Sequence, residues 1–175
     1  MKKIGLLSDT HGCFDERLRR FFDKVDELWH AGDIGSIELA DEIAAFKPLR
    51  AVSGNCDDRK VRAVHPLVQR FEVEDADVLM LHIGGYPGNY TPAARSLIET
   101  RPPKLFISGH SHILKVMKDK RYHLLHINPG GAGLHGFHMV RTAVRFVLDA
   151  GDIRDLEVGE WSRNDGQQFD RTCSA

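Results

Sequence analysis

A chain of 175 residues is long enough for one domain with a substantial core, because proteins of this size bury about 70% of their unfolded surface. Lys and Arg number 24 against 25 Asp and Glu, a net charge of -1, which excludes the electrostatic footprint of a general nucleic-acid binder. Cys13, Cys56 and Cys173 form no CxxC pair and read as reduced thiols of a cytoplasmic protein. The apolar run after Lys2-Lys3 is too short for a signal peptide, and no stretch reaches the length of a membrane span.

Ile4 to Leu7 suits a strand buried on both faces, and it breaks into Ser8-Asp9-Thr10-His11-Gly12. A strand thus delivers a carboxylate and an imidazole to the carboxyl edge of a sheet, where open α/β folds bind ligands. Alone, the pair fits a turn aspartate capping a helix and a surface histidine better than a metal site. Asp15 to Val25 reads as a helix with Leu18, Phe21, Phe22 and Val25 inward and Arg17, Arg19, Arg20 and Lys24 in solvent. Glu27 to His30 is a second strand, and Ala31-Gly32-Asp33 brings another carboxylate just past its end. Ser36 caps a helix through Phe46. Leu49 to Val52 is a third strand, followed by Ser53-Gly54-Asn55-Cys56-Asp57-Asp58.

Beyond Asp58 the alternation changes. Leu67 to Val73 and Val78 to Ile83 flank Glu74-Asp75-Ala76-Asp77 as a hairpin, which exits through His82 into the glycine-rich stretch Gly84 to Tyr90. Thr91-Pro92 opens a helix to about Thr100. Lys104 to Ser108 is a buried strand ending in Gly109-His110-Ser111-His112, and strands follow at Leu114 to Lys118, Tyr122 to Ile127, Thr142 to Leu148 and Ile153 to Val158. One domain is expected over residues 1–159, with 160–175 a polar tail.

Asp9, His11, Asp33, Asn55, His82, His110 and His112 each follow or finish a predicted strand, on five separate segments. Seven mixed nitrogen and oxygen donors exceed what one first-row ion needs, while two ions sharing a carboxylate use that number naturally.

In this order of D-x-H, G-D, G-N, a lone His and G-H-x-H, carried by Asp9-Thr10-His11, Gly32-Asp33, Gly54-Asn55, His82 and Gly109-His110-Ser111-His112, the chain resembles the calcineurin-like metallophosphoesterases. The short length, Gly54-Asn55-Cys56-Asp57 and Asn128-Pro129-Gly130 are similar to the compact YfcE-type phosphodiesterases. The resemblance implies an α/β fold, a four-layer αββα sandwich of two mixed sheets flanked by helices, with a dinuclear centre at one edge. It implies Asp9, His11, Asp33 and His112 around one metal and Asp33, Asn55, His82 and His110 around the other, with Asp33 bridging. The implied reaction is hydrolysis of phosphodiesters by a metal-bridging hydroxide, with Asn55, His82, Cys56 and Asp57 as catalytic residues. Mn, Fe, Ni and Zn all suit such donors, with Mn favoured. The alternatives are a phosphomonoesterase, or a protein-binding scaffold like the retromer subunit of this fold.

The implied partner is a small phosphoester substrate, without nucleic acid or membrane, and with a homo-oligomer possible. Ser8, Thr10 and Ser111 read as hydrogen-bonders around the ligands rather than nucleophiles. Two positions depart from the family pattern. Cys56 stands where a histidine is usual and reads as a packed small side chain, and His82-Ile83-Gly84-Gly85 lacks the second histidine of a His-Gly-His. His135, His138 and Arg141 follow Asn128-Pro129-Gly130 closely enough to be candidates for touching substrate. His30 reads as a core residue satisfied near the site.

Overall fold

The computed structural model describes residues 1–163. Parallel strands β1 (Lys2–Leu7), β2 (Glu27–His30) and β3 (Leu49–Ala51) are extended by antiparallel β11 (Val140–Asp149) and β12 (Asp152–Ser162), giving the order β12-β11-β1-β2-β3. The second sheet joins β4 (Val68–Val73), β5 (Ala76–Leu81), β8 (Leu105–Ile107), β10 (Leu124–Pro129) and β9 (Leu114–Asp119) in the order β4-β5-β8-β10-β9. A small hairpin, β6 (Gly85–Tyr86) with β7 (Asn89–Tyr90), stands apart.

The apolar runs dictate how these sheets stack. Ile4, Leu6, Trp29 and Phe146 of the first sheet share a core with Val78, Met80, Ile107 and Ile127 of the second. Helices α1 (Glu16–Phe21), α2 (Ile37–Phe46) and α3 (Arg59–Val64) cover the outer face of the first sheet, where Leu18, Ile43 and Val61 meet Leu7 and Leu28. Helix α4 (Pro92–Thr100) covers the second, with Ala94 and Ile98 against Leu79 and Phe106. The expected four layers are therefore present, and β1 is buried on both faces from Ile4 to Leu7, as its apolar run requires.

Several boundaries differ from the sequence reading. α1 starts after Asp15, whose side chain accepts from the Leu18 amide, but ends at Phe21 so that Phe22 and Val25 can turn into the core. α3 was not anticipated: it buries only Val61 and so has no apolar stripe, although Asp58 caps it by accepting from the Lys60 and Val61 amides. β12 runs through Glu160 and Trp161 to Ser162, with Trp161 edge-on to Phe21 at 5.5 Å, so these residues belong to the sheet rather than to a tail. The rest of that tail, with Cys173, lies outside the described residues. Cys56 is a free thiol. No helix among the described residues is long and apolar enough to cross a membrane.

Arg141 does not reach toward substrate. It is fully buried on β11, where its NH1 donates to Asp15 Oδ2 at 2.6 Å and its Nε to the Ala132 carbonyl at 2.7 Å. The guanidinium holds the Asp15 carboxyl below its usual range against the upward push of burial. Asp15→Ala would strand a cation in the core, so it should destabilise the fold by about 3–5 kcal/mol in urea unfolding, while Asp15→Ala/Arg141→Met should recover much of the loss. Equal destabilisation of the single and double variants would show that the ion pair is not what matters there.

Candidate metal centre

Two pairs of loops leave the sheets side by side. The amides of Asp9, His11 and Gly12 donate to the carbonyls of Gly32, Asp33 and Ile34 at 2.9, 3.1 and 2.8 Å, locking the turn after β1 to the turn after β2. Gly109 N donates to the His82 carbonyl at 2.9 Å, joining the turns after β8 and β5. The His110 amide then crosses between the sheets to Asp9 Oδ2 at 3.1 Å. Asp9, His11, Asp33, His110 and His112 all have left-handed backbone, with φ of 55, 46, 56, 68 and 56°. Such conformations are rare outside glycine and persist only where the surroundings enforce them, commonly at functional sites. The paired glycines have a steric reason: a Cβ on Gly54 would fall within the Asp33 carboxylate, and one on Gly109 within the Ser8 hydroxyl.

This framework gathers the seven predicted donors at one edge. Asp9, His11 and His112 place ligand atoms within 4.8 Å of one another, and Asp33, His82 and His110 do the same. A third group of that size, His11, Asp33 and Cys56, shares Asp33 with the second, so Asp33 lies between the two sides. Its Oδ2 is 3.9 Å from His11 Nε2 and 3.2 Å from His82 Nε2. Asn55 lies on the wall of the same pocket, next to Cys56.

The hydrogen bonds around the donors leave their lone pairs facing inward. His82 Nδ1 lies 2.7 Å from the Ala31 carbonyl and donates to it, which turns Nε2 toward Asp33 and Asp9. His138 Nε2 donates to the Gly133 carbonyl at 3.3 Å, so its Nδ1 accepts from His112 Nδ1 at 2.9 Å. His112 Nε2 then faces Asp9 Oδ1 at 3.1 Å and His11 Nε2 at 3.4 Å. Asp9 Oδ2 is occupied by Ser8 Oγ at 2.6 Å and by the His110 amide, whereas buried Asp9 Oδ1 and His82 Nε2 have no well-directed hydrogen bond. Buried polar atoms are rarely left so. Burial pushes the carboxyls of Asp9 and Asp33 up, but the neighbouring imidazoles outweigh it and hold both below the usual range. Burial likewise lowers His82, yet Asp33 and Asp9 outweigh it and raise its pKa. The arrangement favours positive charge at this point, and its nitrogen and oxygen donors suit divalent first-row ions.

Other expectations sort by geometry. Asp57 is buried and spends both oxygens on backbone, accepting from Gly54 N at 2.7 Å and Gly35 N at 2.9 Å; it fixes the turn that carries Asn55 and does not face the reacting group. Cys56 is exposed on the pocket wall rather than packed, because its amide is drawn to Asp33 Oδ1 at 2.8 Å and the side chain is left at the mouth. Burial and the Asp33 carboxylate push its thiol pKa up. Ser8 is fixed on Asp9, and Ser111 Oγ accepts from Asn128 Nδ2 at 3.1 Å. His30 is a core residue near the site, as expected: its Nδ1 accepts from the Gly32 amide and its Nε2 meets Thr10 Oγ1 at 2.9 Å. His135 lines the pocket, with its ring 6.2 Å from that of His11. His138 acts on His112, a role that no spacing in the sequence announces. There is no room for the missing histidine at Gly84, where a Cβ would meet Phe106 at 2.5 Å.

Comparison with known proteins identifies the family and the fold. Residues 1–151 match the calcineurin-like phosphoesterase superfamily domain. A probable metallophosphoesterase of Methanothermobacter thermautotrophicus is 31% identical over 134 residues, which cover 73% of this chain and 75% of that protein. A solved archaeal phosphodiesterase shares the fold at a TM-score of 0.64 with 20% identity, covering 90% of this chain and 99% of the other. Vps29 of Chaetomium thermophilum shares it at a TM-score of 0.71 with 13% identity, covering 93% and 95%. With the family domain matched over most of its length, the chain belongs to the calcineurin-like phosphoesterase superfamily.

Proposed function

We propose that the chain is a metal-dependent phosphodiesterase. In this reading Asp9, His11, Asp33 and His112 hold one divalent ion, and Asp33, Asn55, His82 and His110 hold a second, with manganese the favoured metal. The observation that carries it is the buried pair of Asp9 Oδ1 and His82 Nε2, which lie 3.9 Å apart without hydrogen bonds amid inward-facing donors. Such ions, when bound, supply Lewis acidity toward a phosphoryl oxygen and lower the pKa of water at the site.

The chain's own part is to fix the donors. Ser8 and the His110 amide hold one oxygen of Asp9, leaving the other to face the pocket. The Cys56 amide orients Asp33, the Ala31 carbonyl orients His82, and His138 orients His112. Such supporting contacts typically account for 10- to 100-fold in metal affinity or activity, to order of magnitude. With Ser8 buried and committed, no protein nucleophile is required.

The assay is direct. Loaded with manganese, the protein should bind two equivalents and hydrolyse bis(p-nitrophenyl) phosphate faster than p-nitrophenyl phosphate. Simple dialkyl esters should be cleaved poorly, because a thiol with a raised pKa is a weak proton donor to an alkoxide and general-acid help of about 10²- to 10⁴-fold is missing. Equal rates on aryl and alkyl diesters would show that another group protonates the leaving oxygen. Faster cleavage of the monoester would make this a phosphomonoesterase. A protein that binds both ions yet turns over none of these substrates would support the scaffold reading, which the likeness to Vps29 and the exposed apolar rim of Ile113 and Phe137 favour.

A further inference from the structure

A second cavity adjoins the metal pocket and shares His110, Ser111 and Ile113 with it. Its far wall is the β6–β7 hairpin, which turns at Pro87-Gly88 with Gly88 at φ 89°. The glycine-rich stretch is therefore a tight turn that presents Tyr86, and Tyr86 is 37% exposed. From β9, Lys115 extends its ammonium over that ring, 3.4 Å from the centroid. No carboxylate pairs with Lys115 among the described residues. A cation held on an aromatic face keeps its position while its charge remains available to an anion.

The inner wall is also unfinished. His126 is fully buried and reaches the cavity. Ser108 Oγ donates to the Gly85 carbonyl at 3.1 Å, so His126 Nε2 donates to Ser108 at 3.0 Å. His126 Nδ1 is left as a buried acceptor without a partner. Burial, reinforced by the Lys115 charge, lowers its pKa to about 4 and keeps it neutral.

We propose that this cavity receives the non-reacting arm of the substrate and that Lys115 selects arms carrying a second anionic group. The inference rests on the phosphoester reading of the metal centre and adds a substrate class to it. The reacting phosphoryl group would lie among the histidines, with its arm passing over the His110-Ser111 turn that separates the two cavities. Lys115 is a specificity determinant here, and it takes no part in bond breaking.

Binding of stable phosphonates tests this without turnover. Calorimetry on the manganese-loaded protein would compare n-butylphosphonate with ω-carboxyalkylphosphonates of three to six carbons. At least one carboxylated chain should bind roughly tenfold tighter than n-butylphosphonate, the scale of one charge-assisted hydrogen bond. Lys115→Met should erase that advantage and leave n-butylphosphonate affinity unchanged, while Lys115→Arg should keep most of it. The proposal is overturned if no chain length gains from its carboxylate, or if the gain survives Lys115→Met. Failure of n-butylphosphonate itself to bind is a different result, one that removes the phosphoester reading beneath the proposal.

Discussion

Replacing Asp33 by asparagine should cost the protein its metal and roughly 10³-fold of its diester hydrolysis together. Asp33 is the one carboxylate shared by two of the three donor groups, and the Lewis acidity it would anchor is worth several kcal/mol, each 1.4 of which is tenfold in rate. Asparagine keeps the size of the side chain, tolerates the left-handed backbone and can still accept from the Cys56 amide, so the fold should survive. Metal content by atomic emission and rates on bis(p-nitrophenyl) phosphate decide the matter. Two equivalents of metal and parental turnover in Asp33→Asn would refute the bridging role. His123→Asn, on an exposed turn, is a suitable control. His30→Ala is not: its ring is buried and ties Thr10 to Gly32, so its loss would loosen the turns that carry Asp9 and Asp33.

Acid should unfold the metal-free protein well above the pH at which carboxylates protonate. Burial lowers the pKa of both His30 and His126 to about 4. Below pH 6.5 the unfolded chain takes up protons that these folded imidazoles refuse until about pH 4. Their stabilisation is therefore complete above pH 6.5 and falls across that interval by roughly 3 kcal/mol per histidine. His11, His65 and His138, also lowered by burial, act in the same direction, whereas the raised His82 opposes them. Urea unfolding with chelator present should show a steep loss between pH 7.5 and 4.5, shallower in His126→Gln. A flat profile over that range would mean that the imidazoles are not held neutral in the core.

The gathering of the candidate donors was readable in the sequence because they sit at strand ends, and strand ends are marked by apolar runs that break into polar ones. Ile4 to Leu7 fixes where Asp9 must fall, and Leu105–Ile107 does the same for His110 and His112. The candidate donor groups thus follow from local pattern plus parallel pairing. What pattern could not show is contact between distant segments. Asp57 sits one residue from Cys56 yet turns to the backbone, and Arg141 lies close in sequence to His138 yet ends in the core against Asp15, 126 positions away. His138 and Lys115 gain their roles from partners that only the tertiary fold brings near, namely His112 and Tyr86. α3 escaped because one buried valine makes no period.

The left-handed backbone at five of the donors bears on how this site is best dissected. Alanine in place of Asp9, His11, Asp33, His110 or His112 would remove a donor and leave a Cβ in a conformation that costs about 1 kcal/mol or more. Most of that cost is already borne by the native side chain, which carries a Cβ as well, so an alanine variant removes the donor without relieving the backbone. Glycine removes the donor and relieves the backbone together, and asparagine nearly isolates the chemistry. The same strain opposes function to robustness: a glycine-substituted, inactive centre gains local ease that the working one forgoes, so selection for stability alone would tend to erode this motif first.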